Sequence, residues 1–306
     1  MKLIGCGDLH FTNKKPSNRK GDYFQQQINK FEQILKITQK TDSKTLLIAG
    51  DVFDSAKVGY QVTNQILKSI KKYNVNILAT FGQHDIFFHV GELKNTPLGN
   101  LAASNAVTIL KPDTITEINR ITLIGVGWQQ ELEAEAEIIV THRMITKKDP
   151  LWPGQTDYST AQAIMRKYPW AKCILSGDNH LPHALRLKSK RLQINSGSMM
   201  RSNKSQINFK PRVYEIDTDT WTTKPIFLKI EKPEDVFDFE KIELEEIKKE
   251  IKDDAQEKIS AFIATLPQNT QEKPNFSNVL QSIIKETKPT KNVTEIINNT
   301  MTRISK

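Results

Sequence analysis

The sequence predicts a layered α/β fold, on two observations. Through residues 1–180, short apolar runs rich in Ile, Leu and Val alternate with amphipathic stretches, the pattern of buried strands separated by helices. After residue 183 the pattern changes to alternating stretches, the mark of antiparallel hairpins with one solvated face. A chain of 306 residues has room for one large core and a smaller appendage.

Taken in order, strands are expected near residues 2–6, 45–49, 75–79, 121–126, 137–140 and 172–176. Between the first two, residues 23–38 place Phe24, Ile28, Phe31, Ile34 and Leu35 on one helical face. Residues 62–73 repeat the arrangement with Ile66, Leu67 and Ile70. The stretches ALRLKSKRLQINSG and RVYEIDTDTWTTKPIFLKI read as hairpins closing the same domain, which sets its boundary at Ile230. From Glu231 the composition shifts to Glu, Lys and Ile without Gly, and residues 240–264 read as one helix with the acidic start that a helix dipole favours. Pro267, Pro274 and Pro289 divide the remainder into a linker and two short helices. Phe276, Val279, Leu280, Ile283 and Ile284 form one apolar stripe, and Val293, Ile296, Ile297, Met301 and Ile304 the next. Such stripes need cover, either from the preceding domain or from a partner protein.

The charged fraction of 26% and hydrophobic fraction of 38% exclude a fibrous or wholly disordered chain. The opening MKLIGCGDLH has too short an apolar run for a signal peptide or membrane span, so the expected location is the cytoplasm. Cys6 and Cys173 lie inside expected strands and read as small buried hydrophobes. The net charge of +9 is unevenly placed: residues 231–306 hold 12 Lys/Arg against 15 Asp/Glu, leaving 32 against 20 for residues 1–230. The excess positive charge, which suits a polyanionic partner, therefore belongs to the first domain.

That domain also holds the chemistry. Asp8 and His10 follow the first strand as D-L-H. Gly50-Asp51-Val52-Phe53-Asp54 follows TLLIA, Gly82-Gln83-His84-Asp85 follows NILATF, Thr141-His142 follows EIIV, and Gly177-Asp178-Asn179-His180 follows KCILS. Strand carboxyl ends are where α/β folds place their ligands. Five of them offering carboxylate, imidazole or amide oxygen, with no cysteine, suit Mn²⁺, Mg²⁺ or Fe better than a structural zinc. Seven candidate ligands (Asp8, His10, Asp51, Gln83, His142, Asp178 and His180) are too many for one ion. Two metals bridged by a carboxylate would place a shared hydroxide in line with a phosphorus atom.

The order D-x-H, GD-x-x-D, G-[NQ]-H-[DE], a lone histidine after a strand, then G-x-x-H resembles the calcineurin-like metallophosphoesterase superfamily, over residues 1 to about 217. Within it the chain is similar to SbcD-type DNA repair and recombination nucleases, particularly compact phage versions. The basic loop after His10, GQHD followed by NTPLGNLA, and GSMMRSN leading into PRVYEID carry that likeness. The resemblance implies a four-layer α/β/β/α sandwich with a reduced cap and a helical carboxyl-terminal extension. It implies a first metal on Asp8, His10 and His180, Asp51 as the bridge, and a second metal on Gln83, His142 and Asp178. His84 would be the catalytic histidine and Asp54 would orient it, or would simply cap a helix. The implied cofactors are two divalent metals, Mn²⁺ or Mg²⁺. The implied partners are DNA, an SbcC-like SMC-type ATPase docked on the carboxyl-terminal helices, and a second copy of the chain.

The family favours asparagine at position 83 and histidine at position 178, and both departures fall on the second metal. The loop bearing Lys14, Lys15, Arg19 and Lys20 either grips a nucleic-acid backbone or is a solvated charge run. His183 either touches a phosphate or packs, and His89 is left without a role. A metal-dependent DNA nuclease, exo- or endonucleolytic, is the leading expectation. The alternatives are a small-molecule phosphatase or cyclic-nucleotide phosphodiesterase, and a non-catalytic scaffold with a degraded second site.

Overall fold

The computed structural model describes residues 1–89, 92–245, 248, 282 and 284–286. The chain divides into two compact units, Met1–Leu244 and Glu245–Lys306. The first contains, in order, β1 (Lys2–Cys6), α1 (Tyr23–Gln39), β2 (Thr45–Ala49), α2 (Tyr60–Tyr73), β3 (Asn76–Thr80), α3 (Pro97–Ala103), β4 (Thr108–Ile109), β5 (Thr116–Ile118) and β6 (Ile121–Val126). There follow β7 (Ile138–Thr141), β8 (Ile145–Thr146), β9 (Ser159–Thr160), α4 (Ala161–Lys167), β10 (Cys173–Ser176), β11 (His183–Arg186) and β12 (Leu192–Asn195). β13 (Arg212–Asp217), β14 (Thr222–Phe227) and α5 (Pro233–Val236) complete the series.

Twelve of these strands make two six-stranded sheets, β14-β13-β1-β2-β3-β4 and β11-β12-β10-β7-β6-β5, and β8 and β9 pair in a two-stranded one. β1 to β4 are mutually parallel, as are β6, β7, β10 and β12; the antiparallel pairings fall to β5, β11, β13 and β14. The two-residue period of a strand sorts the side chains into layers. Leu3, Leu47 and Leu78 face Leu123, Val140 and Leu175 between the sheets. The alternate residues Ile4, Leu46 and Ile48 turn outward onto Ile28, Phe31 and Leu35 of α1 and Leu98 of α3. On the far side Ile124, Ile139 and Ile174 pack on Ile164 and Met165 of α4. This is the expected four-layer α/β/β/α order. Cys6 and Cys173 are buried free thiols, the latter pushed up to about 12 by burial.

The two expected hairpins form, but they part company: β11–β12 extends the second sheet and β13–β14 the first. The compact unit also runs past Ile230 to Leu244. Residues 231–242 are held there because Val236, Phe237 and Ile242 form a small apolar cluster with Ile207, and because Lys30 pairs with Glu231 at 2.8 Å. Main-chain bonds from Lys20 to Val236 and from Asp238 to Asn18, both 2.9 Å, join this strap to the basic loop. Residues 239–245 are helical, but the rest of the 240–264 helix and the apolar stripes beyond residue 275 fall, single positions aside, outside the described residues. No described helix is long and apolar enough to cross a membrane.

Candidate metal centre

The carboxyl ends of β1, β2, β3, β7 and β10 converge, and the segment after each delivers its side chains to one place. Backbone bonds fix the approach. Asp8 N–H donates to the Gly50 carbonyl (3.2 Å), His10 N–H to that of Asp51 (3.0 Å) and Phe11 N–H to that of Val52 (2.9 Å), so the first two segments lie side by side. Asp85, fully buried, accepts from Val52 N–H (3.2 Å), Phe53 N–H (2.9 Å) and Gly82 N–H (3.0 Å), tying the third segment to the second. Burial and the nearby Asp51 charge push its carboxyl up to about 7. A side chain at Gly82 would overlap the Asp51 carboxylate, so the glycine is what lets these two segments touch.

Four of the seven expected ligands stand in left-handed backbone: Asp8 (φ 52°), His10 (φ 48°), Asp51 (φ 46°) and Asp178 (φ 71°). Asp and His tolerate this region better than most residues, yet four together are strain concentrated where ligands are aimed.

Three groups of donor atoms each gather within 4.8 Å: Asp8, His10 and His180; Asp8, Asp51 and His142; and His10, Asp51 and His84. Asp51 Oδ2 is the hub, 3.3 Å from His142 Nε2, 3.6 Å from His10 Nε2 and 3.9 Å from His84 Nε2, while Oδ1 accepts the His84 N–H at 3.0 Å. His10 Nε2 and His180 Nε2 face each other at 3.2 Å. Asp8 Oδ1 accepts the Asp178 N–H at 2.9 Å. The ring of His142 is fixed by its other nitrogen: the Ala49 carbonyl, 2.7 Å from Nδ1, can only accept, so Nδ1 carries the proton and Nε2 turns inward.

Electrostatics and satisfaction together show what the site fits. Burial pushes the Asp8 carboxyl up, against the pull of His142, His180 and His10. Burial acts on Asp51 in the same sense, but His142, His10 and His84 outweigh it and hold that carboxyl below the usual range. Burial opposes charge on His142, yet Asp51, Asp8 and Asp178 bring it up to about 10. Asp8 Oδ2, His10 Nδ1, Gln83 Oε1 and His142 Nε2 are all buried without a hydrogen-bond partner. His10 Nδ1 faces the Asp54 carboxylate and leaves Nε2 for the centre; the other three, on converging carboxylate, imidazole and amide groups, make the arrangement that divalent cations satisfy. Gln83 fits in an instructive way: its amide nitrogen donates to Asp178 Oδ1 at 3.0 Å, which leaves the carbonyl oxygen uncommitted. Asp178 Oδ1 is 3.9 Å from His142 Nε2.

Two expectations change, for Asp54 and Arg19, and the alternatives for His183 are decided. The Asp54 carboxylate faces His10 Nδ1 at 3.6 Å, and it is the Asp54 main-chain carbonyl that meets His84 Nδ1, at 3.1 Å. Arg19 does not face nucleic acid: it is 2% exposed, donates to the Arg201 carbonyl and Gln26 Oε1, and stacks on Tyr23 and Phe237. His183 packs, its Nε2 2.7 Å from Gln193 Oε1. Lys14, Lys15 and Lys20 are exposed, and Lys14 lines the cleft that Asp8, His10, Asp54, His84 and His180 share with Tyr23, Ser198 and Ser202. The side chain of His89 lies outside the described ones. Asp85 was legible only as the last letter of GQHD, and Ser198 and Ser202 only as letters of GSMMRSN, with no role attached to them.

No curated protein matches the chain. Among solved structures, the TT1561 protein of Thermus thermophilus is 10% identical, over 74% of this chain and 98% of that one, with a TM-score of 0.47. A dimetal phosphatase from Danio rerio is 8% identical, over 76% and 97%, with a TM-score of 0.46. A 5'-nucleotidase precursor, also from Thermus thermophilus, is 10% identical, over 75% and 54%, with a TM-score of 0.39. A family model of calcineurin-like phosphoesterases matches residues 1–182, more than half the sequence and every strand end that carries a ligand, and to that family the chain belongs.

Proposed function

We propose that the protein is a metal-dependent DNA nuclease. The observation that carries this reading is the placement of Lys14 in the same cleft as Asp8, His10 and His180, with Lys15 and Lys20 exposed on the same loop. Exposed cations beside a phosphoester-cleaving centre suit a polyanionic chain, whose phosphates on either side of the scissile one need contacts of their own.

Asp8, His10 and His180 would hold one divalent cation, Asp51 would be shared, and His142, Asp178 and Gln83 would hold the other, with Mn²⁺ favoured over Mg²⁺ by three imidazoles. When bound, such cations neutralise charge developing on the phosphoryl oxygens and acidify the attacking water. His84 supplies the proton traffic. The Asp54 carbonyl accepts a hydrogen bond from Nδ1–H, so Nε2 is the atom that exchanges a proton. As an imidazolium it donates from Nε2 to the leaving oxygen, and its 41% exposed side chain gives substrate access. The buried Asp85 carboxylate keeps the His84 segment against Asp51, and Asp178 orients Gln83. An SbcC-like ATPase docked on the apolar stripes beyond residue 275, and a second copy of the chain, complete the proposed assembly.

The test is digestion of end-labelled linear DNA in Mn²⁺ by the wild type and by His84→Ala, purified identically. Cutting by the wild type alone supports the reading. Turnover of a chromogenic phosphomonoester with DNA left intact would instead support a small-molecule phosphatase.

A further inference from the structure

Beside His84 lies a second concavity, of ≈ 260 Å³, lined by Asp54, Ala56, Lys57, Gln83, Ile86, Phe87 and Phe88. Its rim residue Phe88 is anomalous in two independent ways. The side chain is 84% exposed, so core packing does not account for a phenylalanine there. Its backbone is left-handed, φ 52° and ψ 24°, a region that bulky residues avoid, so the local chain would be better served by Asn or Gly. A large ring displayed at a cost in backbone strain, next to a site, is a reason to seek a function. The neighbouring chemistry is specific: Lys57 Nζ sits 5.8 Å from the centroid of the Phe87 ring, and His84 joins this concavity to the cleft that holds Lys14. A ring, a cation and an apolar floor are together what an unstacked nucleotide needs, the base on the ring and the phosphate near the cation.

We infer that Phe88 is a stacking platform for a nucleobase of single-stranded DNA flanking the scissile phosphate, with Lys57 beside the adjoining phosphate. This inference rests on the nuclease reading and adds to it the state of the substrate. The nucleotide next to the cut is unpaired when it binds, so single strands and frayed ends are cut in preference to intact duplex.

The experiment measures Mn²⁺-dependent cleavage of a fluorescein-labelled oligothymidylate by the wild type, Phe88→Ala and Phe88→Trp, and of the same oligonucleotide with one abasic position at the cut. Phe88→Ala should raise KM about tenfold or more with little change in kcat. Phe88→Trp should restore KM, and its added fluorescence should be quenched by the oligonucleotide. The abasic substrate should narrow the gap between the wild type and Phe88→Ala. If wild type and Phe88→Ala cut oligothymidylate with equal KM, the platform is wrong and the nuclease stands. If Phe88→Ala instead changes the mass in solution, the ring belongs to a contact between copies and the inference fails. If the wild type cuts no oligonucleotide but hydrolyses a chromogenic monoester, the nuclease reading fails and takes the platform with it.

Discussion

Two buried charged clusters lie in the same domain, and they are built to opposite rules. In one, Arg19, Lys30 and Arg201, each no more than 2% exposed, gather around Phe237 and Glu231. Arg201 donates to the carbonyls of Ile207 (2.8 Å) and Glu231 (2.7 Å), Arg19 to that of Arg201, and Lys30 to the Glu231 carboxylate, while both guanidiniums pack on the Phe237 ring. In the other, at the strand ends, Asp8 and Asp51 are just as buried, but four acceptor or ring atoms around them have no partner and four residues sit in left-handed backbone. In the first cluster every charged group meets protein acceptors and Arg19 Nε alone is left over, whereas the second leaves carboxylate, amide and imidazole atoms that cations would satisfy. Buried charge by itself therefore says little about function; the unsatisfied remainder does.

The sharpest way to break that contrast is catalytic. Asp51→Ala removes the hub carboxylate and should lower Mn²⁺-dependent turnover on the order of 10³-fold or more, read as kcat/KM on whichever phosphoester the wild type cleaves. A loss under tenfold would sink the assignment of Asp51 as the shared ligand. In the clamp the same kind of truncation should act on stability. Arg201→Ala leaves buried carbonyls unpaired and should cost roughly 2–4 kcal/mol in urea unfolding, with kcat of the folded fraction retained. A collapse of kcat at unchanged stability would place Arg201 in the machinery instead.

Metal addition probes the unsatisfied cluster directly. Mn²⁺ at a hundred times its Kd should stabilise the wild type by about 2.7 kcal/mol, seen as a rise in Tm, while the Arg201→Ala protein keeps that rise and Asp8→Asn loses it. Because burial disfavours the Asp8 charge when no cation is bound, metal-free Asp8→Asn should unfold at a higher temperature than the metal-free wild type. An equal Mn²⁺ response in Asp8→Asn would refute the ligand set. The smallest effect belongs to a residue that packs: His183→Ala should cost about 1 kcal/mol through the lost bond to Gln193 and leave turnover unchanged.

Much of this was legible in the sequence, for physical reasons that differ by element. The central strands are continuous apolar runs, and β1, β2, β6 and both long helices lie within a few residues of where periodicity puts them. β4, β5, β8 and β9 are two or three residues long and carry no period, while α3 and α4, seven residues each and capped by Thr96 and Thr160, are too short for their few buried apolar residues to show a helical period. At the site, the ligand types were readable because chemistry restricts them to Asp, His and amide. The left-handed backbone of Asp8, His10, Asp51 and Asp178 was not, because no glycine announces it. Arg19 misled because a guanidinium in a basic loop looks solvated until the strap over it, Phe237, is in place.

The position of β1 carries a consequence in time. It lies between β2 and β13, so the segment that aims Asp8 and His10 has one neighbour at Thr45–Ala49 and another at Arg212–Asp217. A ribosome has to deliver more than two hundred residues before that strand can be flanked on both sides, and pairing across such a separation is slow to nucleate. During synthesis, the half-made chain thus displays its aspartates and histidines without the geometry that would retain a cation, and hydrolytic competence arrives as a late event of folding.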